Sequence, residues 1–254
     1  MAEAAFKLKN PPIVEAMLDI ECDMPGRELA AVKLAADQSF LPQYPKFEVF
    51  YPNSRILGEA PQSAPQPVPA MPFQHDSPRF QYAQEDGKQL IQIQTGGYSF
   101  NRLAPYTTLD NYLQEIERTW KIFVRIAEPI EVRAVRLRFI NRIPLPIPAE
   151  KLDLKDYLKI GPRLPDEVGL KFVSFFDQHT MVETDTGNLA NIILATLPAE
   201  GNRLPLLFDI AAAHDARLEP TNWRGVSDGI LSLRRLKNLI FRNTLTERCL
   251  KLFQ

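Results

Sequence analysis

Two stretches of the sequence carry rows of opposite charge at strand spacing. Between Pro11 and Asp23 the carboxylates share one side of an extended chain: Glu15, Asp19, Glu21 and Asp23. Between Glu131 and Pro146 guanidinium groups share one side in the same way: Arg136, Arg138 and Arg142. Such a row can hold a carboxylate, a phosphate or a partner's acidic segment. If the two stretches pair in a sheet, the opposite charges could instead only fix strand register. Both interpretations stay open at this point.

The sequence lacks the short motifs that mark common catalytic sites. It contains no phosphate-binding loop, dinucleotide-binding glycine motif, serine-hydrolase elbow or zinc-protease helix. Asp185-Thr186-Gly187 matches the signature of aspartic proteases, but the polar residues around it are typical of a turn. The histidines are isolated from other metal ligands: His75, His179 and His214. We therefore predict no catalytic residue, no metal site and no cofactor, and favour a protein that is not an enzyme.

Two further features concern charge in the second half of the chain. Asp209 interrupts an apolar run, so it is either buried beside a partner such as an arginine or directed to the polar side of a strand. The C-terminal region also has a basic bias, which could form a solvated helix face or contact phosphates. The residues concerned are Arg217, Arg224, Arg234, Arg235, Lys237 and Arg242.

The composition is that of a globular protein. Hydrophobic residues make up 45% and charged residues 24% of the 254 positions, and the formal charge is −1. These values exclude disorder of the whole chain and a global attraction to nucleic acid or to an anionic membrane. Cys22 and Cys249 lack the spacing of a disulfide framework or zinc site. No signal-peptide core and no apolar run of membrane-spanning length occurs, so we expect a cytoplasmic protein.

The hydrophobic pattern predicts a similar order of elements in the two halves of the chain. The first half reads as strand 11–23, helix 27–40, strands 46–51, 79–86 and 88–103, and helix 107–126. The Gly96-Gly97 pair predicts a bulge within the third of those later strands. The second half reads as strand 131–143, short helix 152–158, strands 169–178, 181–197 and 204–213, and helix 226–243. Residues 52–78 are rich in proline and are predicted to form a long loop, with a proline-motif ligand as the alternative.

This repeated order predicts an α+β fold built from a duplicated β-α-β-β-β-α unit. The halves, residues 1–129 and 130–254, would form one compact unit with a single antiparallel sheet and helices on one face. A saddle such as that of the TATA-binding protein, or a helix-grip sheet, is the expected shape. If the pseudo-two-fold axis runs between the opening strands, these strands become neighbours. The open face would then present the candidate binding residues Glu15, Asp19, Arg136, Arg138 and Arg142, and the sixth candidate is Asn141.

Several segments together resemble a sporadically distributed prokaryotic family of uncharacterised proteins of about this length. They are NPPIVEA (Asn10 to Ala16), a helix with Trp120 and Phe123, RLRFINRIPLP (Arg136 to Pro146) and LLFDI before the final helix. Pro12, Glu15, Arg138, Asn141 and Arg142 match the family pattern, and no catalytic role attaches to them. The resemblance covers nearly the whole chain outside the proline-rich loop. The patchy distribution of the family implies that its members act in mobile-element, toxin-neutralising or antiphage contexts.

The sequence therefore leaves three functional hypotheses. The first is a non-catalytic protein that binds a macromolecular partner, most plausibly a protein encoded nearby, through the open face or the proline-rich loop. The second is a nucleic-acid-binding protein that uses Arg136, Arg138 and Arg142. The third is an enzyme acting on a small molecule or nucleotide in the groove of the sheet. We expect no membrane association, and the oligomeric state is open, although an uncovered edge at residues 46–51 would invite self-pairing.

Overall fold

The computed structural model describes residues 8–26, 29–50, 78–148, 152–161 and 173–254. The predicted proline-rich loop, apart from Pro78, lies outside these residues. The strands are β1 Ile13–Asp23, β2 Lys46–Phe50, β3 Arg79–Ala83, β4 Gln89–Gln94, β5 Gly97–Leu103, β6 Glu131–Pro146, β7 Phe176–Val182, β8 Leu189–Thr196 and β9 Arg203–Leu218. The α-helices are α1 Leu29–Phe40, α2 Asp110–Ala127, α3 Trp223–Thr244 and α4 Glu247–Leu250, and single 3₁₀ turns occur at Leu154–Asp156 and Lys251–Phe253.

The nine strands of the described chain form one antiparallel sheet in the order β2-β3-β4-β5-β1-β6-β9-β8-β7. The predicted α+β class with a single antiparallel sheet is therefore confirmed. The opening strands β1 and β6 are neighbours at the centre, as predicted, and Leu18 lies opposite Leu137. Strands β2 and β7 lie at the two edges.

The three long helices pack on one face of the sheet, which we call the helix-covered face. In α1 the ring of Phe40 lies 5.6 Å from that of Tyr82, and in α2 the ring of Trp120 lies 5.8 Å from that of Tyr98. In α3, Phe241 stacks on Phe208. The strand register places these three sheet aromatics on the same face as the buried Leu18 and Leu137. No helix of the described residues packs on the other side, which we call the open face.

Strict alternation in β1 and β6 produces the separation between these faces. The buried side chains of β1 are those of Ala16, Leu18, Ile20 and Cys22, at every second position. Those of β6 follow the same period through Val135, Leu137, Phe139, Ile143 and Leu145. Because burial of a large apolar side chain stabilises the fold by roughly 1.5 to 3 kcal/mol, a one-residue slip in register would expose a whole row of such groups. The polar residues between them are thereby fixed on the open face.

The hairpin of β4 and β5 corrects one prediction. Residues 88–103 were expected to form one strand with a bulge at Gly96-Gly97, but the chain turns at Thr95 and Gly96 and continues as a separate strand. The backbone at Gly97 has a φ of 141°, and a Cβ there would collide with the carbonyl oxygen of Ile20 in β1. A glycine is required because two backbones approach each other closely at this point. The first half therefore has four strands after its first helix, whereas the described second half has three.

One more local prediction differs from the structure. The predicted short helix at 152–158 is a single 3₁₀ turn, and its N-terminal cap is Asp153, which accepts from the Lys155 N–H. A further short helix, α4, follows α3; its N-cap residue is Thr246, whose hydroxyl accepts from the Cys249 N–H. Helix α2 ends as predicted before Pro129, with Glu128 in the left-handed conformation.

We expect Gly97→Ala to destabilise the fold by about 2 to 4 kcal/mol, because it adds a strained backbone conformation to a collision with β1. Gly26→Ala is the matched control, since a Cβ at Gly26 would have nothing within 4 Å. Urea denaturation of both variants measures the difference. Equal stability of the two variants would contradict the proposed close approach of β5 and β1.

Lys237 on α3 should give the stability a pH dependence. Its Nζ lies 4.1 Å from the centre of the Phe139 ring, and burial, together with the nearby Arg234, lowers its pKa from 10.5 to about 8. Between pH 8 and 10.5 the unfolded chain binds a proton that the folded chain lacks, so this residue makes the free energy of unfolding rise with pH. Lys237→Met should remove that rise and increase stability at pH 7, whereas Lys237→Arg should remove the rise without the gain. Urea titrations at pH 7 and 9.5 test this, and a Met variant with the wild-type slope would contradict it.

Candidate binding face of the sheet

The structure brings five of the six predicted binding residues to the open face. Glu15 and Asp19 of β1 and Arg136, Arg138 and Arg142 of β6 alternate with the buried residues of their strands. These five residues therefore line one surface at the centre of the sheet.

Asn141, the sixth predicted residue, lies on the helix-covered face. It is only 1% exposed, and its amide donates to the Phe208 carbonyl oxygen at 2.9 Å. It shares the alternation of Phe139 and Ile143 rather than that of the arginines, so it cannot line the open face with them.

The strongest contact on the open face joins Arg138 to Asp209 of β9. The guanidinium group donates from Nε to both carboxylate oxygens at 3.0 Å and from Nη2 to Oδ2 at 2.5 Å. The Asp209 side chain is only 4% exposed. Burial alone would lower the pKa of Arg138, but the bond to Asp209 and the nearby Glu15 and Asp19 carboxylates raise it. Both interpretations of Asp209 therefore hold together: it lies on the open face and is buried against an arginine.

The other two predicted arginines also have acidic partners. Arg136 Nη1 lies 2.6 Å from Glu21 Oε2 of β1, and Arg142 pairs with Glu200 in the turn before β9. Only the Arg136 contact belongs to the predicted ladder between β1 and β6; the other two arginines turn towards residues on the β9 side. For Arg138 the reason is the register of the two strands, which places it opposite the uncharged Met17.

Two acids of the β1 row, Glu15 and Asp19, accept hydrogen bonds from uncharged donors on β5. The Ser99 hydroxyl donates to Asp19, and the Asn101 amide donates to Glu15 Oε1 at 3.0 Å. These contacts cross between neighbouring strands, since Asp19 lies opposite Ser99 and Met17 opposite Asn101. The carboxylates thus remain acceptors on the open face without being neutralised by these donors.

A cavity of about 210 Å³ lies at the centre of this face, between the charged side chains. Its polar lining comes from five strands and comprises Asp19, Glu21, Arg79, Gln92, Gln94, Asn101, Arg136 and Arg138. The small side chain of Ala211, opposite Arg138, leaves space at one end. Such a volume suits a single polar side chain or a very small molecule rather than a cofactor.

Three polar groups in the cavity have capacity for a ligand. The buried oxygens Gln94 Oε1 and Asn101 Oδ1 have no hydrogen-bond partner. The side chain of Arg79 forms no ion pair or hydrogen bond with the described residues. An unpaired buried polar atom costs about 1 to 3 kcal/mol, so a bound group or water that satisfies these atoms would be favoured. The cavity can therefore offer two acceptors and a cation.

Sequence reasoning missed the residues on β3, β4 and β5 that complete this site. Residues 88–103 were treated as one strand, so Gln94 and Asn101 were not placed on the same face as β1. The available signal was the alternation within β5, where Ser99 and Asn101 are polar and Tyr98 and Phe100 are apolar. That period would have placed both polar residues next to the acidic row.

The residues considered for catalysis form a turn or hydrogen bonds within the fold. Asp185-Thr186-Gly187 forms the turn between β7 and β8, and Gly187 has a φ of 73°. His214 Nδ1 lies 2.8 Å from Asn188 Oδ1, and Asn188 also donates to Ser232 and Glu183. Within the described ranges, no three His, Cys, Asp or Glu residues are grouped so that they could hold a metal ion. His75 lies outside these ranges.

Two members of the C-terminal basic group are also paired. Arg234 lies 2.5 Å from Asp110 at the start of α2, and Arg235 lies 2.6 Å from Glu183 before the β7–β8 turn. These contacts tie α3 to the rest of the fold, which supports the interpretation of the group as part of a solvated helix face.

The chain matches no protein-family model, and no curated protein matches its sequence. The resemblance to the prokaryotic family therefore stays a prediction. In the part of the chain that the structure describes, no helix has the length and apolar character needed to cross a membrane.

Asp209→Ala should destabilise the protein by about 3 to 5 kcal/mol, because it leaves the partly buried Arg138 without its counter-charge. The double variant Arg138→Met with Asp209→Leu should recover most of that loss, since an apolar pair of similar volume needs no compensation. Arg142→Ala, in an exposed pair, is the control and should cost less than about 1 kcal/mol. Chemical denaturation of the four proteins measures these values. A double variant no more stable than Asp209→Ala would contradict the pairing argument.

Proposed function

We propose that this protein is a non-catalytic binding protein whose open face engages a protein partner. The observation that carries the proposal is the cavity at the centre of that face, where Gln94 Oε1, Asn101 Oδ1 and Arg79 have hydrogen-bonding capacity that no described residue uses. A partner that inserts one polar side chain could satisfy these groups. The surrounding strands would position it, because the face extends across the centre of the sheet without a covering helix.

A protein partner fits this surface better than a nucleic acid. Binding to phosphates requires uncompensated positive charge, but the three predicted arginines, Arg136, Arg138 and Arg142, already contact carboxylates: Glu21, Asp209 and Glu200. Acceptors from Glu15 and Asp19 lie on the same surface and would repel a phosphate backbone. A mixed surface of this kind suits directional hydrogen bonds with a polypeptide.

The third hypothesis, an enzyme acting on a small molecule, has less support. General acid–base or nucleophilic catalysis needs a reactive group whose pKa or hydrogen bonding is arranged for the reaction. The cavity contains arginines, amides and carboxylates, and two of its arginines, Arg136 and Arg138, form ion pairs. The two cysteines lie elsewhere in the core, and burial raises the pKa of each thiol to about 12, which suppresses the reactive thiolate.

We further propose that residues 1–129 and 130–254 arose by duplication and form a saddle. Support comes from the arrangement of the sheet around its centre. Each opening strand, β1 or β6, pairs with the last strand of its own half, β5 or β9, and a long helix follows that last strand. The unequal number of strands requires an added or lost strand in one half. The proposed mobile-element, toxin-neutralising or antiphage context, with a partner encoded nearby, rests on the family resemblance.

Affinity purification from the native host tests the proposed function. Tagged wild-type protein should retain a stoichiometric protein partner, and Arg79→Glu should reduce its recovery at least about tenfold, because it reverses the unpaired charge at the cavity. Arg224→Glu is the matched control: it makes the same charge change at the exposed start of α3, and it should leave recovery unchanged.

Three results would contradict the proposed function. They are the absence of any stoichiometric protein, equal loss of the partner in both variants, and a retained species that nuclease removes. The last result would instead favour the nucleic-acid hypothesis. A shift of the wild-type mass by a bound metabolite in native mass spectrometry would favour the small-molecule hypothesis.

A further inference from the structure

Strand β7 presents an unpaired edge at one end of the sheet. It pairs with β8 on one side, and on its other side no strand of the described ranges pairs with it. Five of its seven side chains are exposed and the remaining two, Asp177 and His179, are partly buried. Such an edge is a template for another strand, and proteins usually protect it by charge, proline or a covering element.

The hydrogen bonds to β8 determine which backbone groups point outward. The Thr196 N–H donates to the Phe175 carbonyl oxygen at 3.1 Å, and the Glu183 N–H donates to the Asn188 carbonyl oxygen at 2.8 Å. In an antiparallel pair, alternate residues bond to the same neighbour. The odd-numbered residues of β7 therefore bond to β8. The backbone groups of the even-numbered residues point to the outer edge: Phe176, Gln178, Thr180 and Val182.

We propose that a second copy of this chain pairs with β7 in an antiparallel arrangement about a two-fold axis at His179. His179 is the midpoint of the seven-residue strand, so every residue of β7 finds an opposite residue. Phe176 then lies opposite the second copy's Val182, and Gln178 opposite the second copy's Thr180. These are the outward-pointing residues, so their N–H and C=O groups can form hydrogen-bonded pairs along the whole edge. The two sheets become continuous.

The side chains are complementary in this register. Phe176 and Val182 are 48% and 59% exposed, and both lie on the open face. Each would cover the other across the dimer axis, and the exposed Leu189 lies beside Val182 in β8 and extends the apolar row. Cross-strand pairs of aromatic and β-branched residues contribute roughly 0.2 to 1 kcal/mol each. The polar Gln178 and Thr180 meet between the two apolar pairs.

The charges on the opposite face are compatible with this pairing. Asp177 lies opposite the second copy's Met181, so no carboxylates meet. The two His179 rings lie opposite each other, and each has its own Asp177, whose Oδ2 is 3.1 Å from His179 Nε2. That carboxylate compensates a positive charge on the ring.

The other edge strand is less suited to the same interaction. Residues 46–51 are a predicted site of self-pairing, and β2 is indeed an edge strand. Pairing two copies of β2 about its midpoint, Glu48, would place two carboxylates opposite each other, which is destabilising. This difference selects β7 as the dimer edge.

Sedimentation velocity tests the dimer over about two decades of protein concentration. The wild-type protein should approach twice the 28.9 kDa of one chain as concentration rises. Thr180→Pro should shift dimerisation to at least about tenfold higher concentration, because it removes an outward N–H and keeps the backbone hydrogen bonds from β7 to β8. The side-chain hydrogen bond from the Asn191 amide to Thr180 Oγ1 is lost in Thr180→Val as well. Thr180→Val keeps the N–H and is the control that should dimerise. A wild-type protein that remains a monomer, or a proline variant that dimerises like wild type, would overturn the proposal.

Cysteine cross-linking tests the register and does not depend on the proline variant. His179→Cys should form an intermolecular disulfide under mild oxidation, because the residue faces its own copy across the axis. Thr180→Cys is the matched control and should cross-link much less, since its opposite residue is Gln178 of the second copy. The native Cys22 and Cys249 are buried and should not react. Preferential cross-linking at 180, or none at either position, would overturn the proposed register.

Discussion

The antiparallel pairing of β1 with β6 is the constraint on which the rest of the structure depends. It joins the first strand of the chain to one that begins more than a hundred residues later, and it places Leu18 against Leu137 at the centre of the core. Both strands alternate along most of their length, so a single register decides which side chains the helices cover and which ones line the open face. The charged surface is therefore a direct consequence of how the core packs.

The polar side of these two strands is arranged by the same register. Arg138 lies opposite Met17 rather than an acid, and it turns to Asp209 on β9, where burial makes the loss of either partner more costly than at an exposed ion pair. Arg136 reaches Glu21. The acids of β1 that remain are fixed by Ser99 and Asn101. Charge on this face is thus largely balanced within the molecule, and the groups left for a partner are mainly amide oxygens and Arg79.

Much of the fold could be predicted from the sequence, because periodicity reports burial directly. The alternation of β1 and β6, the apolar stripe of α3 and the polar turn at 184–188 each predicted an element that the structure contains. The division of residues 88–103 into two strands could not be predicted by that means, since it depends on the approach of Gly97 to β1, a contact distant in sequence.

The same limit applies to the site. Arg138 and Asp209 were recognised separately, but their pairing follows from the neighbouring positions of β6 and β9. Asn141 was predicted from the family resemblance, which carries no information on strand faces, whereas the alternation of β6 directs it away from the arginines.

A surface whose charges are already balanced imposes a particular kind of recognition. Long-range attraction depends on net charge and is screened by salt, so it contributes little where Arg136, Arg138 and Arg142 each contact a carboxylate. Specificity must then come from shape and from hydrogen bonds at short range. The buried Gln94 Oε1 and Asn101 Oδ1 suit that role, because a ligand with donors at the right positions removes their desolvation cost, whereas a ligand without donors leaves them unpaired. The ion pairs thus act as a rigid frame around the cavity, and the few unpaired groups inside the frame would distinguish one partner from another.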